Sequence, residues 1–269
     1  MVEAEAVRAP NAARHSARTA GLFAFVDALG EIAFLTRDAI RACVRRPPPW
    51  HSILDQLEQV GVRSLSIVGL TALSMGMVLA LQLGNFLERF GAKMFVSRIV
   101  GVSLVREMAP ILTALMLGGR VGAGFTAELG TMAVTEQIDA VRALGASPVR
   151  VLVVPRLLAV MIMLPLLTVV ADLIGILGGL VMSTTELRVS SDFYWNSLLY
   201  GMVLNDLFSG IGKSLFFAYF IGIISCYNGL RVTGGADGVG RATTSTVVAA
   251  SITILIADFF LTKLFLATG

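Results

Sequence analysis

Five apolar runs, at about 64–84, 104–129, 151–182, 207–230 and 244–267, are each long enough to cross a lipid bilayer. A helix needs about 20 predominantly apolar residues for that. Bilayer interiors also leave unpaired backbone N–H and C=O groups without water, so runs of this kind are predicted to be helical throughout. The expected fold class is an all-α integral membrane protein. Composition agrees: 56% of the 269 residues are hydrophobic and 14% are charged, where a soluble domain carries about 25% charged residues. The third run exceeds the minimum, which predicts tilt, a protruding end or a bend near Pro165.

Lys and Arg placement sets orientation. Eight arginines precede the first run, the last of them Arg63, and the later loops on that side add Arg142, Arg150, Arg156, Arg231 and Arg241. The opposite side holds Arg89, Lys93, Arg98 and Arg188. This puts the N-terminus in the cytoplasm and the C-terminus outside. The formal charge of +3 is then explained by topology, and nothing else points to nucleic acid. Cys43 and Cys226 are too few for a disulfide framework, and both fall towards the cytoplasmic side, where thiols stay reduced. His15 and His51 are the only histidines and both precede the first run, so neither a metal centre nor a cofactor is called for. Residues 1–21 lack the apolar core of a signal peptide.

Residues 1–21 are predicted to be a disordered tail, 22–63 interfacial amphipathic helices, and 64–269 a five-span domain. In the second segment Leu22, Val26, Leu29, Ala33, Ile40 and Val44 recur at helical spacing. Pro47, Pro48 and Pro49 then break the helix. Trp50 and the flanking arginines suit helices lying flat among headgroups, with a soluble helical hairpin as the alternative. Small residues recur every fourth position as Ala171–Gly175–Gly179, Gly210–Ser214–Ala218–Gly222 and Ser245–Ala249–Thr253–Ala257. Such rows let helix backbones approach closely in lipid.

Two motifs mislead. Gly212-Lys213-Ser214 ends like a phosphate-binding P-loop, but the first glycine of that motif would fall on Leu207. Gly122-Ala123-Gly124-Phe125-Thr126-Ala127 matches a dinucleotide fingerprint only as a string, inside an apolar span. The chain has no visible site for hydrolysing ATP, so an enzyme is not expected.

Arg106, Glu107, Arg120, Glu128, Asp172, Asp206 and Lys213 fall within or beside the runs. A charge at the bilayer centre costs roughly 2.5–3.5 kcal/mol, so each needs a partner, a cavity or an interface. Arg106 and Glu107 are adjacent and point about 100° apart, which prevents a helix-surface pair between them. They reach other helices or a polar cavity, or snorkel to the interface. Arg120, Glu128, Asp172, Asp206 and Lys213 are read as inter-helix struts.

The second run leads into a polar segment, 135–145. Thr135 suits an N-cap, and Glu136 and Asp139 suit a helix's positive end. Ile138, Val141, Ala143 and Leu144 supply an apolar stripe, and Gly145 a stop. The pattern fits equally a helix anchored in headgroups and one seated in a protein groove.

The runs Arg106-Glu107-Met108-Ala109-Pro110, Gly119-Arg120-Val121-Gly122, Ala127-Glu128-Leu129-Gly130-Thr131-Met132 and Thr135-Glu136-Gln137-Ile138-Asp139-Ala140 resemble the MlaE/YrbE permeases of Mla-type ABC lipid transporters. Pro155-Arg156, Asp172-Leu173-Ile174-Gly175, Gly238-Val239-Gly240-Arg241 and Ala257-Asp258-Phe259 extend the likeness over about 50–266. Where the family usually has Leu-Gly-Pro, this chain has Met108-Ala109-Pro110. The resemblance implies a homodimeric permease of the bacterial inner membrane, with five spans after interfacial helices. A cytosolic ABC ATPase would dock on a coupling helix carrying Glu136, Gln137, Ile138, Asp139, Arg142 and Leu144. A periplasmic ring of MCE-domain subunits would exchange glycerophospholipid with it and so maintain outer-membrane lipid asymmetry. Mapped by resemblance, Leu79, Leu83, Phe86, Leu87 and Phe90 would line the acyl-chain cavity, with Arg106 and Glu107 at its polar part. The competing class is an ion-coupled secondary transporter using Asp172, Asp206 or Lys213, against which stands the lack of inverted-repeat symmetry. An intramembrane lipid enzyme has no nucleophile–base pair to work with.

Overall fold

A computed structural model describes residues 27–44 and 50–268. The expected 1–21 tail and the Pro47–Pro49 break lie outside the described residues. Helix α1 covers 27–44, followed by α2 (Trp50–Val60), α3 (Leu65–Glu88), α4 (Val96–Ser103), α5 (Ala109–Leu117) and α6 (Ala123–Val134). Then come α7 (Gln137–Ala143), α8 (Val154–Thr185), α9 (Ser191–Gly201), α10 (Leu204–Leu230) and α11 (Gly235–Thr268). There is no strand among the described residues. Among the described residues, five helical stretches are long and apolar enough to cross a membrane: Trp50–Glu88, Lys93–Val134, Val149–Thr185, Leu204–Leu230 and Gly235–Phe265.

These spans are longer than the apolar runs that announce them. The second begins at Lys93, and its α4 starts eight residues before the run expected at 104, because Val96 and Val100 are buried and continue the apolar face. It remains helical to Val134 through two π-turns, Leu104–Met108 and Gly118–Gly122. The first has a plain cause. Pro110 has no N–H to give the Arg106 carbonyl, so the turn before it widens. The third span carries Pro165 inside α8 without ending there. Between spans three and four, α9 was not anticipated. Its cap is Ser190, whose hydroxyl accepts the Phe193 N–H at 3.4 Å. Its buried Tyr194 donates to the Ile176 carbonyl at 3.1 Å, and burial pushes that phenol up to about 12.

Close backbone approach holds the bundle together. A Cβ on Gly76 of α3 would overlap the Gly175 carbonyl of α8, and one on Gly178 would overlap the Leu73 backbone. In α10, Gly210 lies against the Val105 carbonyl and Gly222 against Leu157. Two of the small-residue rows therefore do form helix seams. The row Ser245–Ala249–Thr253–Ala257 instead lines an open apolar cleft of about 820 Å³ between α1, α10 and α11. Helix α1 is tied to α10 by Thr36–Tyr219 at 2.7 Å and by Glu31, which pairs with Arg231 and Tyr227.

Candidate functional site

Span two delivers most of the charge, and its π-turns decide where each side chain goes. From the turn at Leu104–Met108, Arg106 and Glu107 reach different partners on α10. The Arg106 guanidinium meets the Asp206 carboxylate at 3.3 Å. The same carboxylate accepts the Val203 N–H at 3.0 Å, so it also caps the start of α10.

Glu107 pairs with Lys213, a lysine with no exposed surface. Lys213 is also 2.6 Å from the Thr262 hydroxyl and 3.3 Å from the Asp258 carboxylate. Its three ammonium protons thus face three oxygens contributed by spans two and five. A lysine buried in this way without partners would be prohibitively costly. Glu107, Asp258 and Thr262 emerge into an open groove of about 470 Å³, completed by Ile111, Leu255, Phe259 and Lys263.

A second polar layer lies nearer α7. Glu128 accepts from Arg156 at 2.9 Å and from Gln59 at 2.8 Å. Arg156 also donates to the Leu152 carbonyl at 2.8 Å and rests over the Phe125 ring. Arg120 does not share partners with Glu128, although eight residues separate them. The π-turn at Gly118–Gly122 lies between, and Arg120 donates to the Arg63 carbonyl and, at 2.8 Å, to the Ser64 hydroxyl. Asp172 is buried in α8, with one carboxylate oxygen unpartnered among the described residues.

The five residues mapped to an acyl-chain wall divide into two strips. Leu79, Leu83 and Leu87 pack inward against a cluster that includes Val100, Leu104 and Leu187. Phe86 and Phe90 are exposed, their rings 5.1 Å apart.

The polar segment after span two forms α7, shorter than the 135–145 expected. Thr135 is not its N-cap: its hydroxyl turns back to the Thr131 carbonyl at 2.8 Å, still finishing span two. Glu136 occupies the cap position in the left-handed region, at φ 59°. Arg142 and Asp139 pair at 2.7 Å on the surface. The apolar stripe is also split. Ile138 is buried with Ala39 of α1, Leu152 and Val153, whereas Leu144 is 85% exposed. Glu136, Gln137, Asp139, Arg142 and Leu144 therefore face outward from an anchored helix.

Sequence reasoning missed Asp258, Thr262, Lys263, Arg156 and Gln59. Asp258 and Arg156 stand inside the quoted runs Ala257-Asp258-Phe259 and Pro155-Arg156. A search for the counter-charges that Lys213 and Glu128 require would have found both.

The sequence is similar to known proteins over most of its length. The chain is 40% identical to a probable ABC transporter permease protein of Rickettsia felis, over 90% of this chain and 93% of that one. It is 43% identical to a probable ABC transporter permease protein of Synechocystis, over 81% and 84%. To the chloroplastic protein TRIGALACTOSYLDIACYLGLYCEROL 1 of Arabidopsis thaliana it is 37% identical, over 80% of this chain and 62% of that one. The family model described as Permease MlaE matches residues 53–264, nearly the full helical bundle. The chain belongs to the MlaE permease family and is the multi-pass membrane subunit of an ABC transporter, which implies an ATPase partner.

Proposed function

We propose that two copies of this chain form the membrane core of a transporter that moves glycerophospholipids between the bacterial inner membrane and a periplasmic MCE-domain ring, so maintaining outer-membrane lipid asymmetry. The observation that carries the reading is the Glu107–Lys213–Asp258–Thr262 cluster opening into an apolar groove. Such a groove suits an amphiphile: apolar walls for chains, and Lys263 beside two carboxylates for the charges of a headgroup. The name of the Arabidopsis relative contains a glycerolipid, which supports a diacylglycerol-based lipid as the broader substrate class.

The homodimer reading rests on α11. Its span is the least buried of the five, 17% against 50% for α10, and it exposes Val248, Ile252, Leu255, Ile256, Phe259 and Phe260. A second copy across this face would close the groove into a cavity to which the exposed Phe86 and Phe90 add apolar wall, backed by the half-buried Leu79, Leu83 and Leu87. Helix α7 is the docking element for the cytosolic ATPase, seated by Ile138 with its charges outward. The arginine bias supports a cytoplasmic N-terminus and α7, with α9 on the side of the MCE ring. The five-span unit of 64–269 is the permease proper, and 22–63 its interfacial collar.

The test is lipid mass spectrometry on the protein purified with its ATPase. Leu79→Arg is expected to lose lipid transport while the dimer persists, and Glu107→Ala to lower the bound phospholipid several-fold. Unchanged bound lipid in Glu107→Ala and Arg106→Ala argues against the headgroup role. Docking is tested separately. Glu136→Lys combined with Asp139→Lys is expected to abolish co-purification of the ATPase and leave bound phospholipid unaltered. An ATPase that still co-purifies overturns the assignment of α7.

A further inference from the structure

Two exposed arginines at the α7 end of the bundle stand together with no counter-charge beside them among the described residues. Arg63 stands on the tight turn Val62–Ser64 that joins α2 to α3, and Arg120 on the π-turn of span two. They line one cleft of about 110 Å³ with Gln59, Val121, Gly124 and Phe125. Neither makes an ion pair among the described residues. The carboxylate at this level, Glu128, is taken by Arg156 and Gln59. Arg120 spends Nη1 on the Arg63 carbonyl and the Ser64 hydroxyl. Its remaining N–H groups, and all those of Arg63, find no acceptor among the described residues.

Depth narrows the ligand. Arg120 is fourteen residues from Arg106, about 21 Å along the helix at 1.5 Å per residue. Span one enters its apolar stretch at Leu65, two residues past Arg63. Both guanidiniums therefore stand where headgroups end and chains begin, and basic pockets between spans at that depth suit anionic headgroups. The cleft holds several times the roughly 30 Å³ share of one water in the liquid. Val121 and Phe125 give it an apolar floor, and Val62 and Leu65 lie exposed alongside.

We propose that this cleft binds the phosphodiester of an anionic phospholipid from the leaflet on the α7 side, held as a fixed component rather than as cargo. The phosphate supplies the counter-charge that Arg63 and Arg120 lack and ties the entry of span one to the π-turn of span two. The inference rests on the membrane-spanning fold and not on the choice of cargo.

The experiment uses the permease purified with its ATPase, delipidated, and placed in phosphatidylcholine nanodiscs containing graded phosphatidylglycerol. Retained lipid is read by native mass spectrometry. One tightly held phosphatidylglycerol per protomer is expected. Arg63→Gln, which removes a cation with no structural partner, is expected to weaken its retention about fivefold. Gly124→Leu is expected to abolish it while keeping both charges, because a Cβ at Gly124 meets nothing within 4 Å and the larger side chain fills the cleft. Arg89→Gln, at the opposite end of α3, is expected to match the parent. Wild-type retention in both Arg63→Gln and Gly124→Leu overturns the proposal. So does a loss in Arg63→Gln alone, which means diffuse attraction to the surface. Displacement of the lipid by millimolar inorganic phosphate identifies a soluble anion as the ligand and also overturns it. Leu79→Arg is expected to keep this lipid, so failure of the cargo reading is separable from failure of this one.

Discussion

Lys213→Met is expected to destabilise the protein by about 3–5 kcal/mol, the usual consequence of removing one partner from a buried ion pair. The geometry makes the upper part of that range the expectation. Lys213 has no exposed surface, and its ammonium is the common partner of Glu107, Asp258 and Thr262. Without it two carboxylates face each other across spans two and five in a low-dielectric setting, and one hydroxyl loses its donor. Thermal unfolding in detergent, or the fraction surviving a fixed heat step, measures the loss. Lys213→Met joined with Glu107→Gln and Asp258→Asn is expected to recover most of the stability, because a whole buried network replaced by neutral groups costs far less than half of one. The neutral triple variant is also expected to hold less phospholipid than the parent. Stability would then be restored while the groove's charges are missing, which separates the structural from the binding role. A single Lys213→Met protein as stable as its parent would show that the cluster is not an obligatory ion network.

The five spans were legible because each is announced by a long apolar run, and lipid leaves such a run no alternative to a helix. Their ends were not. Residues 96–103 and 191–201 are mixed in polarity, and what makes them helical is burial of Val96, Val100, Tyr194 and Leu198 against neighbouring spans. No local pattern records such tertiary burial. The charge clusters were half legible: Arg106, Glu107 and Lys213 are conspicuous in apolar surroundings, but their partners depend on helix rotation. The π-turns at Leu104–Met108 and Gly118–Gly122 shift that rotation, which is why Arg120 and Glu128 part company despite a two-turn spacing. Thr135 failed as a cap for a similar reason. The chain reverses at Glu136 in the left-handed region, and the threonine belongs to the preceding helix. One further signal is legible in the sequence of α3. Ala72, Gly76, Ala80 and Gly84 repeat every fourth position in α3, and all four are buried.

That row carries the second large expected effect. Gly76→Ala adds a single carbon whose ideal position overlaps the Gly175 carbonyl of α8. The neighbour is backbone, so no rotamer change relieves the overlap and the two helices must separate. Helix propensity alone predicts the opposite sign, a gain of about 0.5–1 kcal/mol for alanine over glycine in a helix interior. Overpacking costs typically about 1–3 kcal/mol, and a rigid neighbour puts this site at the high end, so a net loss of about 2 kcal/mol is expected. Gly119→Ala is the control, since a Cβ there meets nothing within 4 Å and the variant is expected to match the parent or exceed it slightly. Equal stability of the two variants would mean that α3 and α8 are free to adjust. The consequence extends to transport, because Leu79 and Leu83 lie one and two turns beyond Gly76 on the same helix and pack against Leu104 and Leu187. Displacing α3 from α8 moves that apolar wall relative to the π-turn that presents Arg106 and Glu107. Gly76→Ala is therefore expected to lower phospholipid retention as well as the unfolding temperature, although it touches neither a charge nor a lining side chain.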